Sequence, residues 1–327
     1  MSPSSPAPIF IGGPDRCGKT LVAALLGSHS EVAIPAVGSN LWTLFYGRFG
    51  DLAVNANLDR CLAALMRYKH IRFLEPDEAR LRRELSSGER SYGRLFALIQ
   101  EQHAERLGKP RWGDQTGLVE GYADEIFAAY PGVRMIHMVR DPRDRYDASL
   151  SLWPEGRLRA GGATGRWLYS VRLAARNATR HGDRYRVQRY ESLVAEPEAT
   201  VRELCAFVGV EFEPRMMEMG DMPSYRAKLE AGRGTAAPLI TDAFVGGYRG
   251  RLPTAELAFI QSRAAADMTR HGYALDPIHM DPIARVRYAV VSWPLNALRL
   301  AIWWARTKLA RAVPRLAGRQ PSQRHVV

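Results

Sequence analysis

Cysteine is scarce in this chain. Cys17, Cys61 and Cys205 are the three present among 327 residues. Their odd number and wide separation give no metal-ligand spacing and no disulfide framework, which fits a reducing compartment. A long apolar run is also missing. The longest uncharged stretch of the C-terminal region, Tyr288 to Leu298, contains Pro294 and falls well short of the ~20 residues that a membrane-spanning helix needs. Met1 to Ala7 has neither a basic n-region nor an apolar h-region, so no secretory signal is expected and the reading places the protein in the cytoplasm. Acidic residues are absent from Pro282 onward, where nine Lys and Arg residues stand. Nine of the twelve net positive charges therefore belong to the tail, and the body carries about +3. That removes the main argument for a nucleic-acid-binding core.

What remains has an ordinary apolar content of 46%, enough to bury a sizeable core. Short apolar runs bounded by polar or turn residues predict strands at Ile9 to Ile11, Arg111 to Gly113, Val133 to Val139 and Tyr185 to Tyr190. Helical patterns separate them, over Thr20 to Gly27, Leu58 to Tyr68, Asp77 to Leu85, Tyr92 to Leu107, Glu120 to Ala129, Arg166 to His181, Pro197 to Val208 and Thr254 to His271. This alternation predicts an α/β fold, a parallel β-sheet flanked by helices. The expected organisation is one α/β domain over residues 1–275 and a basic, amphipathic helical extension over 276–327. Gly161 to Gly165 and the segment Ser224 to Pro238 read as loops.

The segment Gly12-Gly13-Pro14-Asp15-Arg16-Cys17-Gly18-Lys19-Thr20 lies between the first strand and the first helix. Strand, glycine turn and helix N-terminus in this order make an anion site, because backbone N–H groups and the helix dipole both face the ligand. Gly13-x-x-x-x-Gly18-Lys19-Thr20 satisfies the nucleoside-triphosphatase consensus. A second patterned segment, Arg134 to Asp144, ends an apolar strand in dense charge, where open sheets bind ligands. A guanidinium there, that of Arg140, suits bidentate phosphate binding. A triphosphatase would also need a magnesium-binding carboxylate at a strand end. Asp141 is the available residue, but Arg140 and Arg143 flank it.

Five motifs in order, between about Pro8 and Tyr273, resemble the sulfotransferases that use 3′-phosphoadenosine 5′-phosphosulfate (PAPS). They are the phosphate loop, the Arg111-Trp112-Gly113-Asp114-Gln115-Thr116-Gly117 element, the Arg140 segment, Arg189-Tyr190-Glu191-Ser192-Leu193 with its following helix, and Gly247-Tyr248-Arg249-Gly250-Arg251-Leu252. The resemblance implies a P-loop nucleotide-binding fold and in-line transfer of a sulfuryl group from PAPS to an acceptor hydroxyl or amine, leaving PAP, with no metal required. It further implies that Arg16, Cys17, Gly18, Lys19 and Thr20 grip the 5′-phosphosulfate. Arg140 would hold the 3′-phosphate, and Tyr190, Arg249 and Arg251 would complete the nucleotide site.

Departures from the family pattern are as informative. Lys19 stands where relatives commonly carry threonine, and an ammonium there would stabilise charge on the leaving group. The usual serine, eight residues after the arginine, is replaced by Ala148, with Ser149 one later and Ser151 eight after Arg143. A glutamate expected after Ala33-Ile34-Pro35 is missing, and Gln115 replaces a lysine. Asp114, just after a strand, is the remaining candidate base, with Asp15 second. A small-molecule kinase or triphosphatase, and a PAPS-binding protein without turnover, are the alternatives. In the tail, Leu295, Leu298, Ile302, Leu309, Val313 and Leu316 recur at helical spacing opposite Lys308, Arg311, Arg315 and Arg319, with Trp293, Trp303 and Trp304 adding aromatic weight. This is the pattern of an interfacial helix drawn to the anionic cytoplasmic face of a membrane. A lipid or glycolipid acceptor would follow, and a helix folded back on the body or packed in a dimer is the alternative.

Overall fold

A computed structural model describes residues 6–156, 159–231 and 239–312. Five parallel strands form one sheet in the order β2-β3-β1-β4-β5, with β1 Ile9–Gly12, β2 Val32–Ala33, β3 Arg111–Gln115, β4 Arg134–Val139 and β5 Tyr185–Arg189. Helices connect every successive pair of strands, as parallel crossovers require. β1 is central and wholly buried. Its alternating side chains serve two cores, because successive residues of a strand point to opposite faces. Ile9 and Ile11 join the aliphatic cluster of helix Lys19–Gly27 and helix Pro197–Val208. Phe10 meets Trp112 and Tyr130 at ring separations of 5.7 and 5.9 Å, and Trp42 and Phe96 extend this aromatic layer.

The chain divides into two compact units. The first comprises residues 1–46, 51–140 and 170–246, and contains the whole sheet; the second comprises 47–50, 141–169 and 247–327. In the second unit Arg143 is the hub. Its guanidinium donates to Asp141, to Gln261 Oε1 at 2.6 Å and to the carbonyl of Ala274 at 2.8 Å, and lies over the Tyr248 ring. Asp141 also caps helix Pro142–Leu150 by accepting from the backbone N–H of Arg143.

The four expected strands are all present, and most expected helices agree within three residues at either end. β2 has two residues, too few for a periodic signal. The largest correction is at Gly161 to Gly165, read as a loop and observed as the first turns of the 22-residue helix Ala160–His181. Its glycines serve close packing: a Cβ on Gly161 would lie 2.0 Å from the carbonyl oxygen of Asn296, and one on Gly165 would lie 3.2 Å from the Trp303 ring. Ser224 to Ala231 likewise lies in a helix, Pro223–Ala231, while residues 232–238 lie outside the described residues, as do Val313, Arg315, Leu316 and Arg319.

Candidate functional site

The phosphate loop leaves β1 at Gly12 and enters helix Lys19–Gly27 through Gly18. Three residues hold positive φ: Gly13 at 117°, Arg16 at 62° and Gly18 at 93°. At Gly13 a side chain is excluded twice over, since a Cβ would stand 2.3 Å from the Met138 carbonyl oxygen. Gly18 is the N-cap and offers no side chain to the first-turn N–H groups. A helix cannot satisfy those donors internally, which makes such a turn suited to an anion.

Inside the loop, Lys19 is buried, and its Nζ donates to the Pro14 carbonyl at 2.6 Å. The Cys17 thiol donates to the same oxygen at 2.8 Å, with Lys19 Nζ 3.9 Å from the sulfur. Burial pushes the Cys17 thiol's pKa up, against the opposing pull of the Lys19 ammonium. Cys17 is thus a packed thiol, not a thiolate. Arg16 is exposed, and Thr20 half-buried.

Tyr190 and Arg140 meet the loop from its other side. A Cβ on Gly18 would come within 2.7 Å of Tyr190 Cδ2, so the ring lies directly against the loop. The Arg140 guanidinium sits 4.3 Å from the centre of that ring, in cation–π range. Its Nη1 donates to the Arg16 carbonyl at 3.2 Å and its Nη2 to the Phe244 carbonyl at 2.9 Å. The structure therefore brings together Arg16, Cys17, Gly18, Lys19, Arg140 and Tyr190.

The other expected nucleotide residues belong to the second unit. Ser149 donates to the Tyr146 carbonyl at 2.6 Å on helix Pro142–Leu150. Arg251 pairs with Asp147 of the same helix at 2.6 Å, and Arg249 with Asp276 at 3.0 Å. Both arginines keep exposed side chains.

Asp114 is buried on β3, one strand from the loop. Its Oδ1 accepts from the Ser39 N–H at 3.1 Å, and its Oδ2 from the Ser39 hydroxyl at 2.6 Å and the Thr116 hydroxyl at 3.2 Å. Burial raises its pKa, and the Ser39 hydrogen bonds act against that shift. Gln115 donates to the Ala36 carbonyl at 3.1 Å. Both side chains thus fasten the 36–40 segment to β3.

Two residues that sequence reasoning missed are tied to the loop and to the 36–40 segment. Glu120 accepts from the Gly13 N–H at 2.8 Å through Oε2 and from the Ser170 hydroxyl at 2.5 Å through Oε1. Ser170 is 2.8 Å from His137 Nε2, His137 Nδ1 is 2.5 Å from the Tyr185 hydroxyl, and Asn177 Nδ2 reaches that hydroxyl at 3.4 Å. All five side chains are buried. One assignment satisfies every link: Asn177 donates to Tyr185, Tyr185 to His137, His137 to Ser170, and Ser170 to Glu120. His70 is the second. Its Nδ1 lies 2.6 Å from the Gly38 carbonyl and 3.1 Å from Asn40 Nδ2, so both contacts are made through that nitrogen. Gly38 abuts Gln115 and Thr116, and the next residue, Gly117, would place a Cβ 3.9 Å from Lys19 Nζ. No local motif marks either residue.

The description that matches this chain, over residues 8–214, is that of the sulfotransferase family. A curated protein of Aquifex aeolicus (strain VF5), described as uncharacterized, is 27% identical over 229 residues, covering 65% of this chain and 27% of its own length. The chain thus spans about a quarter of that relative. The sulfotransferase domain from the Synechococcus PCC 7002 olefin synthase has a TM-score of 0.55 at 19% identity, covering 84% of this chain and 99% of that one. The sulfotransferase domain from the curacin biosynthetic pathway has a TM-score of 0.53 at 18% identity, covering 83% and 99%. Both are likenesses of fold.

Proposed function

The chain belongs to the sulfotransferase family, and on that footing we propose that it moves a sulfuryl group from PAPS to the hydroxyl or amine of an acceptor. The observation that carries the reading is the joint placement of the uncapped helix start, buried Lys19 and the Arg140–Tyr190 stack around one loop. These are donors and cations suited to phosphate and sulfonate oxygens, and they fit a nucleotide that is anionic at both ends. A magnesium-dependent phosphoryl transfer has less support, since the Asp141 carboxylate is taken by the Arg143 guanidinium and the helix cap.

PAPS supplies the sulfuryl group, and PAP leaves with the electron pair of the broken S–O bond. The first-turn N–H groups and Lys19 stabilise charge on the leaving 5′-phosphate, held in place before reaction so that little reorganisation is needed. Arg140, stacked on Tyr190, holds the 3′-phosphate. His70 Nε2 takes the acceptor proton as the new bond to sulfur forms, with Nδ1 held against Gly38. Asp114 acts through position, tying Ser39 and Thr116 so that the 38–40 backbone and His70 keep their places.

Calorimetry with PAP and ATP, followed by turnover of labelled PAPS against an acceptor panel, tests the reading. PAP should bind at least tenfold tighter than ATP, on the order of the discrimination one extra phosphate–guanidinium contact supplies. Arg140→Ala should remove that preference. Tighter binding of Mg-ATP than of PAP would overturn the proposal. PAP binding without turnover on any acceptor would reduce the protein to a nucleotide binder.

A further inference from the structure

Residues 282–312 form a continuous helical run: Pro282–Arg287, a π-helical turn at Tyr288–Ser292, and Trp293–Ala312. One face is packed within the second unit. Asn296 is buried and accepts from the Gly161 N–H at 2.9 Å. Trp303 and Trp304 stand edge-on to Tyr169 at 5.6 and 5.7 Å. This packing accounts for Trp304, which the sequence pattern places among the polar residues.

The other face is apolar and exposed among the described residues. Ile283 is 82% exposed, Val290 70%, Leu309 60% and Leu298 57%, and Val286 and Ile302 continue the row. Beyond Trp293, a rotation of about 100° per residue puts Leu295, Leu298, Ile302 and Leu309 within an arc of about 60°. The same rotation sets Arg299 and Arg306 along one edge of that arc and Lys308 beyond the other. No acidic side chain follows Asp281 in the sequence.

We propose that this face is an interfacial helix that binds an anionic phospholipid bilayer, lying in its plane. A bilayer of anionic lipid supplies both complements at once, acyl chains for the apolar arc and headgroups for its basic edges. A second copy of the same face would bring like-charged edges together with no carboxylate to pair them, and nucleic acid has no use for the apolar arc. No helix among the described residues is long and apolar enough to cross a membrane, so the contact is peripheral.

Full-length protein is sedimented with vesicles of phosphatidylcholine alone, or of phosphatidylcholine with about a third phosphatidylglycerol, at low and high salt. Binding should require the anionic lipid, weaken with salt and shift Trp293 emission to the blue, since that indole is 37% exposed. Arg306→Ala with Lys308→Ala should lower partitioning roughly 30-fold, at about fivefold per charge removed. Leu298→Gln with Ile302→Gln and Leu309→Gln should abolish it. Circular dichroism melts establish that each variant is folded, and the charge pair alone suffices if the triple variant is not. Equal binding to both vesicle types, binding to neither, or a wild-type dimer dispersed by the triple variant would overturn the proposal.

Discussion

Replacing Glu120 with glutamine changes one atom type in a buried chain of hydrogen bonds, and the geometry dictates the cost. Glutamine can accept at one position only, whereas Glu120 accepts from Gly13 N–H and from Ser170 Oγ–H. If the new NH₂ faces Gly13, two donors stand opposed at a separation that is now 2.8 Å. If it faces Ser170, that hydroxyl must reverse and donate to His137 Nε2, so His137 must carry its proton on Nδ1 and donate to Tyr185. The Tyr185 hydroxyl already receives Asn177 Nδ2, and its own proton is left without an acceptor in the network. Either outcome strands one buried donor, at a cost of about 1–3 kcal/mol. Urea unfolding should report that loss. Calorimetry with PAP should show affinity reduced about tenfold, because Gly13 loses one of the bonds that hold the loop. Glu120→Asp, which keeps the charge but shortens the reach, should fall between. A cost below about 0.5 kcal/mol with unchanged PAP affinity would refute the reasoning, since it would mean that the two bonds to Glu120 do not hold the loop.

Three further outcomes are expected. Lys19→Thr should lower kcat by about tenfold or more while PAP affinity changes less than roughly threefold, and unchanged turnover would leave the lysine without a catalytic role. His70→Gln should lower kcat roughly 100-fold and keep PAP affinity; unchanged turnover in the variant would exclude His70 as the base. His103, whose pKa burial and then the Arg106 charge push down from 6.5 to about 4, is neutral in the folded protein. Its contribution is complete above pH 6.5 and is lost as pH falls toward 4, on the order of 3 kcal/mol over that window. His103→Gln should flatten the stability profile there, and an unaltered slope in urea titrations would contradict the assignment.

The residues legible in the sequence are those whose role is written in their neighbours. The phosphate loop is a local turn, so its glycines announce it, and Arg140 is marked by the apolar strand that it ends. Glu120 has no such mark. It lies in a short 3-10 turn, Val119–Tyr122, and its role comes from Gly13 and Ser170, brought close only by the folded sheet. His70 is equally silent, since the Gly38 carbonyl and the Asn40 amide that face it lie 32 and 30 residues away. Asp114 shows the reverse problem, a carboxylate whose position after an apolar strand suggests a base but whose oxygens hold Ser39 and Thr116. Gly161 and Gly165 misled for a physical reason. Glycine is read as a break in a helix, yet here it admits the backbone of Asn296 and the ring of Trp303.

The hydrogen bonds beneath the phosphate loop also order events during synthesis. Gly13 and Glu120 are 107 residues apart, Glu120 and Ser170 are 50 apart, and His137 and Tyr185 are 48 apart. A ribosome adding about 5–20 residues per second makes the first and last of these partners roughly 10–35 s apart. The nascent chain thus carries its complete glycine motif long before anything can hold Gly13 in its native turn. Contacts of such long range also slow folding, because their loop-closure entropy is spent before they are made. The most local motif in the chain is therefore among the last to acquire its shape.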